Sequence, residues 1–380
     1  MSAAGPGGPA RFALVGTGYR AGMLLRLARR LPQHLHVTAV LSRDPGSAGE
    51  VTRRFGPPVV TGTEGLLATR PEFVVTTAPP AVGARLVPEL VAAGAAVLAE
   101  TPPGADVAAL RRLWDEVGAS GRVQVAEQYP SNPANAARLE VVRRGVIGAV
   151  GDVQVSSTQL HHAVALVRAF TGLRAEPLRV VAVTRTSPLA NPVDRGGWTG
   201  DTGTHPTTST VAVLDAGDGR GGLYDFTETQ TRNPLRARRL VVRGGRGEIT
   251  DDRVVRLVDA TTVVESTIVR RQTGLAQDVQ GFALDHLSLD GEVLHRNPFP
   301  GERLSDEEIA VATVLTRTAA WARGAGPAPY PLAAAAQDQL VAAAITEAAA
   351  TGRAVTTTRE AWAAALGPGD DPAARPPRGA

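Results

Sequence analysis

The chain reads as an α/β protein. A doubly wound parallel sheet comes first, and an α+β domain with an open, mainly antiparallel sheet follows. Three observations carry this reading. Between Arg11 and Ala126 short apolar runs alternate with helical periods, the pattern of a parallel sheet covered on both faces. The first run leads directly into a glycine-rich turn, Val15-Gly16-Thr17-Gly18-Tyr19-Arg20-Ala21. Beyond Arg144 the texture changes to β-rich runs joined by turn dipeptides such as Asp218-Gly219 and Gly244-Gly245.

The strands expected first are Phe12–Val15, His36–Leu41, Phe73–Thr77, Ala96–Ala99 and Val123–Ala126, each a short apolar run. Helical periods over Gly22–Leu31, Val82–Ala93 and Asp106–Val117 separate them. A linking helix, Pro133–Arg144, leads to β-rich runs at Val153–Thr158, Arg179–Thr186, Thr208–Asp215, Leu223–Gln230, Leu240–Arg243 and Val254–Val258. Ser305-Asp306-Glu307-Glu308 is a capping box that opens a helix to Arg323. A last helix runs from Pro331 to Thr351 and is stopped by Gly352. Domains are therefore expected over residues 11–126 and 127–355. Residues 1–10 and 367–380, rich in Gly, Ala, Pro and Arg, are expected to be disordered.

Composition narrows the chemistry. The 380 residues hold 40 basic and 37 acidic side chains, a net charge of only +3, so no nucleic-acid or membrane footprint is present. Every basic residue is Arg, and Cys is absent. That excludes Schiff bases, a lysine general acid, thiolate nucleophiles, disulfides and cysteine-ligated metals. No apolar run reaches the length of a membrane span, and Met1–Ala10 lacks a charged start with an apolar stretch. A cytoplasmic protein is expected.

The glycine loop carries the clearest chemistry. Gly16 permits a tight turn, Gly18 lets backbone approach a pyrophosphate, and Ala21 allows close helix–sheet packing. Thr17, Tyr19 and Arg20 complete this cofactor-binding segment. A strand that binds NAD commonly ends in an acid for the ribose hydroxyls. Here it ends Leu41-Ser42-Arg43-Asp44, a hydroxyl and a guanidinium suited to a 2′-phosphate, so NADP is preferred over NAD. The competing reading gives an NAD ribose to Asp44 and turns Arg43 to solvent.

Further motifs resemble the Gfo/Idh/MocA oxidoreductase family over about residues 11–355. They are Val74-Val75-Thr76-Thr77-Ala78-Pro79-Pro80, Ala93-Gly94 leading to Glu100-Thr101-Pro102, Arg144-Gly145-Val146-Ile147-Gly148, Arg243-Gly244-Gly245-Arg246-Gly247-Glu248 and the closing Tyr330-Pro331-Leu332 with Thr351-Gly352-Arg353. The resemblance implies a Rossmann domain and an open-sheet domain, and a substrate that is a sugar, cyclitol or related molecule. It also implies a homo-oligomer packed through the C-terminal sheet. Thr77, Ala78, Pro79, Glu100, Thr101 and Gln128 would touch cofactor.

Two family positions depart from the pattern. The Glu-Lys-Pro motif stands here as Glu100-Thr101-Pro102, and the Gly-x-His-x-x-Asp segment as Leu160-His161-His162-Ala163-Val164-Ala165. The lysine is thus Thr101 and the aspartate Ala165, while His162 matches the family histidine. His162 is the candidate for exchanging the alcohol proton; the other reading is a partly buried structural histidine. Thr101 and Tyr129 would orient the reacting oxygen, although Tyr129 also reads as packing. His161, Asp201 and His205 are candidates for substrate contact, with solvent exposure as the alternative. His161 should point about 100° away from His162 on a helix. That spacing gives no metal site. Two other functions compete with the dehydrogenase: a nucleotide-binding sensor without turnover, and a reductase of an imine-type substrate.

Overall fold

A computed structural model describes residues 8–42, 44–274 and 280–367. Two compact units emerge. One comprises Met1–Pro133, Arg270–His286 and Arg296–Ala336; the other comprises Ala134–Val269, Leu287–His295 and Gln337–Ala380.

In the first unit β1 (Ala10–Val15), β2 (Leu35–Leu41), β3 (Val59–Val60), β4 (Phe73–Thr76), β5 (Val97–Ala99) and β6 (Val123–Val125) form one sheet in the order β3-β2-β1-β4-β5-β6. Every neighbouring pair is parallel. The connections are α1 (Tyr19–Arg30), α2 (Pro45–Phe55), α3 (Thr63–Ala68), α4 (Pro80–Ala92) and α5 (Val107–Val117). Strand residues Phe12, Ala13 and Leu14 are buried, and the Phe12 and Phe73 rings stack at 5.5 Å across β1 and β4. Continuous apolar strands buried on both faces are what a doubly wound sheet requires.

Ala10 already opens β1 by pairing with Leu35, so the N-terminal segment expected to be disordered is shorter than residues 1–10. Residues 1–7 and 368–380 of the expected tails, like Arg43, lie outside the described residues.

The second unit is built on a nine-stranded sheet. Its strands are β7 (Val150–Ser156), β8 (Arg179–Ala190), β11 (Thr204–Asp215), β12 (Gly221–Thr227), β13 (Arg239–Gly244), β14 (Gly247–Thr250), β15 (Arg253–Leu257), β16 (Val263–Thr267) and β20 (Val355–Thr356). Their order is β16-β15-β14-β13-β7-β12-β11-β8-β20. Only β7 and β12 pair in parallel; the other contacts are antiparallel. A two-stranded ribbon, β9 (Val193–Asp194) and β10 (Gly197–Trp198), interrupts the β8–β11 connection. Strands β17 (Val269–Thr273), β18 (Ala283–Leu289) and β19 (Glu292–Arg296) form a small third sheet.

Helix α6 (Pro133–Arg143) precedes β7, and α7 (Leu160–Thr171) packs on β7 and β12. Residues Ala163 to Thr171 of α7 are all buried. The helix is therefore enclosed on every side after its first turn, as its near-continuous apolar sequence dictates. Helix α9 (Leu332–Thr351) is buried continuously over Leu332–Ala342 and exposed toward its C-terminus, and within it Asp338 meets Arg168 of α7 at 2.6 Å.

Helix α8 (Asp306–Ala322), expected with the C-terminal domain, clusters instead with the first unit. It packs against β1, β2 and β4. Ion pairs hold it there, Arg30–Glu308 at 2.8 Å and Arg323–Glu72 at 2.7 Å. The predicted capping box is present: Ser305 Oγ accepts from Glu308 N and Ser305 N donates to Glu308 Oε2.

Candidate functional site

The glycine loop turns the chain between β1 and α1. Gly16 has φ +104°, and its N–H donates to Leu41 O at 3.0 Å. Thr77, just past β4, donates from N and Oγ1 to Val15 O at 3.0 and 2.8 Å. A Cβ on Gly16 would stand 2.9 Å from Thr77 Oγ1, so conformation and space both demand glycine here.

Gly18 presents a different case. Its backbone is extended, and a Cβ there would meet no atom within 4 Å. The fold alone does not require this glycine. Helix α1 begins without a side-chain cap and without an acid in its first turn. Open space beside uncapped helix amides suits a pyrophosphate. The loop therefore fits a dinucleotide.

Arg20, in the first turn of α1, gathers the next residues. Its Nε donates to Glu100 Oε2 at 2.9 Å, and its Nη2 donates to Gln128 Oε1 at 3.3 Å. The other oxygen of Glu100 accepts from Thr101 N at 3.1 Å and from Thr101 Oγ1 at 3.4 Å. The segments after β5 and β6 thus meet the glycine loop around one guanidinium. Arg20 also faces Met23 Sδ at 3.4 Å and Glu307 of α8 at 3.5 Å. Sequence reasoning missed these last two. Met23 sits in an ordinary apolar helix, and Glu307 lies far along the chain in a capping box that explains itself locally.

Tyr129, one residue past Gln128, opens a short 3-10 turn, and its N–H donates to the buried Glu127 at 2.9 Å. Glu127 therefore orients the crossover. At the end of β2, Ser42 is buried and its Oγ accepts from Asp44 N at 3.2 Å, while Asp44 Oδ1 accepts from Gly46 N at 3.2 Å. Both polar side chains are engaged in shaping the β2–α2 turn. Thr17 is half-buried, Tyr19 stands exposed, and Ala78 and Pro79 lead from Thr77 into α4.

In the second unit His161 and His162 occupy the first turn of α7, both half-buried. Their rings lie 4.2 Å apart, tilted by 49°. The expected divergence of the two side chains is thus corrected. The 100° step applies to Cα–Cβ directions, and rings at the free first turn of a helix can swing together. Leu160, immediately before them, has φ +36° and donates its N–H to Tyr224 Oη at 3.2 Å. Burial pushes the Tyr224 hydroxyl up to about 12, partly offset by the Leu160 N–H. Ala165, at the family aspartate position, is buried among Val164, Leu166 and Val167.

Asp201, in the β10–β11 connection, and His205, the second residue of β11, are exposed and bonded to each other at 2.8 Å. The His205 ring and then the Gly203 N–H hold the Asp201 carboxyl below its ordinary range. Among the described residues no group of three or more His, Cys, Asp or Glu side chains is placed to hold a metal ion.

A six-stranded parallel sheet in this order, opened by such a loop, defines a dinucleotide-binding protein of the Rossmann class. Residues 10–128 match the model of the oxidoreductase family with NAD-binding Rossmann fold, GFO_IDH_MocA. Over those residues the chain is similar to the NAD-binding domain of that family. Solved structures share the fold over most of the chain. A levoglucosan dehydrogenase in complex with NADH and levoglucosan is 17% identical with a TM-score of 0.66, covering 92% of this chain and 99% of that one. A myo-inositol dehydrogenase from Corynebacterium glutamicum is 17% identical with a TM-score of 0.62, covering 93% and 100%. An oxidoreductase domain protein from Kribbella flavida is 20% identical with a TM-score of 0.66, covering 92% and 99%. Among curated protein sequences no match is found.

Proposed function

We propose that the protein is an NAD(P)-dependent oxidoreductase that acts on a hydroxyl or carbonyl group of a sugar, cyclitol or related small molecule. The observation that carries this is the open glycine loop, tied through Arg20 to Glu100 and Gln128. Bound nicotinamide supplies or accepts the hydride. In oxidation the carbinol hydrogen departs with the C–H bonding electrons as hydride and His162 takes the hydroxyl proton onto a ring nitrogen, leaving a carbonyl; in the reverse direction it returns that proton. Thr101 and Tyr129 orient the reacting oxygen, while His161, Asp201 and His205 contact substrate. The test is a turnover screen of sugars and cyclitols with NAD⁺ and NADP⁺, followed at the nicotinamide absorbance. A substrate that produces reduced cofactor, with the signal lost in His162→Ala, supports the assignment; full activity in that variant removes it.

NADP is the preferred cofactor in this reading, because β2 runs into Ser42 and Arg43 rather than an acid. Equilibrium binding of NADPH and NADH, repeated with Arg43→Ala, decides the preference. Tighter NADH would overturn it.

The open face of the nine-stranded sheet supports a homo-oligomer. Val183 (62% exposed), Val181 and Val213 lie on it, with Val181 opposite Val213 in register. Light scattering should give a multiple of the chain mass, and Val183→Glu should reduce it. No helix among the described residues is long and apolar enough to cross a membrane, and the cytoplasm is the proposed compartment.

One second reading has its own observation. With Thr101 in place of lysine and Ala165 sealed in the core, the protein binds nucleotide as a sensor. It then holds NADH or NADPH but turns over nothing in the screen.

A further inference from the structure

The outer edge of β2 is only partly covered. Strand β2 runs over Leu35–Leu41, but its outer neighbour β3 pairs only with Val40 and Leu41. Outside Leu35–Ala39 no strand lies among the described residues. On the inner side Ala10 of β1 stands opposite Leu35 and donates its N–H to His34 O at 2.8 Å. Along a strand the backbone groups of successive residues turn to alternate sides. His36 therefore gives its N–H and C=O to β1, and Val37 turns both of its own to the open edge. Leu35 N is bonded to Leu31 O at 2.8 Å, which leaves the Leu35 C=O facing outward beside them. The β1–β2 register shifts by one residue between Val37 and Val40. Val40 N thus also turns outward, and it donates to Pro58 O at 2.9 Å.

A groove of 470 Å³ opens along this edge. Leu25 and Ala28 of α1 and Phe55 at the end of α2 give it apolar walls. Pro57 and Pro58 lead into β3 and also line it. Proline cannot donate to a ladder, so the chain cannot complete the edge by lengthening β3 alongside Val37. Natural sheet edges are commonly guarded by charged residues or proline on the strand itself. The open stretch Leu35-His36-Val37-Thr38-Ala39 carries no Lys, Arg, Asp, Glu or Pro.

Charge then selects the occupant. Arg29 lines the groove, and its Nη1 donates to Arg54 O at 2.7 Å, which fixes the guanidinium at the wall. Arg26, one turn earlier on α1, and Arg53, in the last turn of α2, are exposed and form no ion pair among the described residues. Arg54 is the one that meets an acid, Glu50 at 3.6 Å. The described residues lining the groove include no Asp and no Glu.

We infer that the β2 edge takes up an extended acidic segment of a partner protein as an added strand. Val37 supplies a donor and an acceptor and Leu35 a second acceptor for main-chain pairing; the apolar walls hold the segment's centre and the arginines its acids. The glycine loop touches β2 at its other end, through Gly16 N and Leu41 O. The added strand and a bound nucleotide therefore do not compete, and the docking does not depend on the oxidoreductase reading.

The test uses the full chain and a fluorescent, amidated peptide, Glu-Asp-Val-Thr-Val-Asp-Glu, followed by anisotropy. The peptide should bind saturably, and a version with Lys in place of every acid should bind about tenfold more weakly or worse. Methylating both Val nitrogens, which removes the donors to Leu35 and Val37 C=O, should cost about tenfold or more. The exposed double variant Arg29→Glu/Arg53→Glu should lose a similar factor while its NADH affinity stays unchanged. In an isotope-labelled chain the peptide should slow hydrogen exchange of the Val37 amide and leave the His36 amide, already bonded to β1, as it was. No binding, equal binding of the lysine or methylated peptide, undiminished binding in the double variant, or an unaltered Val37 amide would overturn the proposal. So would Val37 protection that rises with protein concentration without peptide, which would assign the edge to a second copy of this chain.

Discussion

Arg20 Nε stands 2.9 Å from Glu100 Oε2, so the glycine loop and the Glu-Thr-Pro turn are joined by one charge-assisted bond. Both side chains are largely covered, and the same guanidinium reaches Gln128. Replacing Arg20 with Met should leave the Glu100 carboxylate short of a donor. A loss of about 1 to 2 kcal/mol in stability is expected, together with weaker NADH binding. Denaturant unfolding and calorimetry of Arg20→Met measure the two effects. Wild-type values in both would mean that the bond organises nothing.

The two loop glycines should separate a demand of the fold from a demand of the ligand. Gly16→Ala forces a Cβ against Thr77 Oγ1 at positive φ, so stability should fall by about 1 to 3 kcal/mol. Gly18→Val adds bulk where the protein has open space. Its melting temperature should stay near wild type while nucleotide binding collapses. If Gly18→Val still binds NADH and NADPH normally, the pyrophosphate does not lie there.

Arg168 and Asp338 form a pair whose side chains are 9% and 3% exposed. Breaking such a pair from one side leaves a buried charge and costs about 3 to 5 kcal/mol. Asp338→Ala should show that loss in guanidinium unfolding. The double variant Arg168→Met/Asp338→Leu should recover most of it, because two apolar groups leave no charge behind. Equal losses in single and double variants would contradict this account.

Tyr224 makes stability depend on alkaline pH. Its folded pKa is raised by burial to about 12 from 10.0 in the unfolded chain. Its contribution is therefore fully present below pH 10 and is lost as pH rises from 10 through 12, by about 2 to 3 kcal/mol in total. Unfolding free energies at pH 8 and pH 11 should differ by less in Tyr224→Phe than in wild type. An unchanged difference would show that another group carries the alkaline loss.

Much of the first unit is legible in the sequence because each buried parallel strand is a short apolar run and each crossing helix has its own period. Helix α2 was less so: it starts at Pro45-Gly46, residues that read as a turn although proline is well suited to a first helical position. The β18–β19 hairpin had a usable signal in Asp290-Gly291, both at positive φ. The site was legible only where motifs are contiguous. The glycine loop and Glu100-Thr101 could be read directly, whereas the approach of Glu307 to Arg20 and the pairing of Thr184 on β8 with Thr210 on β11 arise from tertiary register.

The chain passes back and forth between its two units at Pro133, Val269, His286, His295 and Ala336. A polypeptide cut at Gln128, where the family match ends, would lack α8, the helix laid across β1, β2 and β4. Neither unit can then be excised as a single continuous fragment, and one genetic crossover cannot graft this nucleotide half onto a different partner. Exchange between relatives has to replace several stretches together, which favours inheritance of the whole chain as one block.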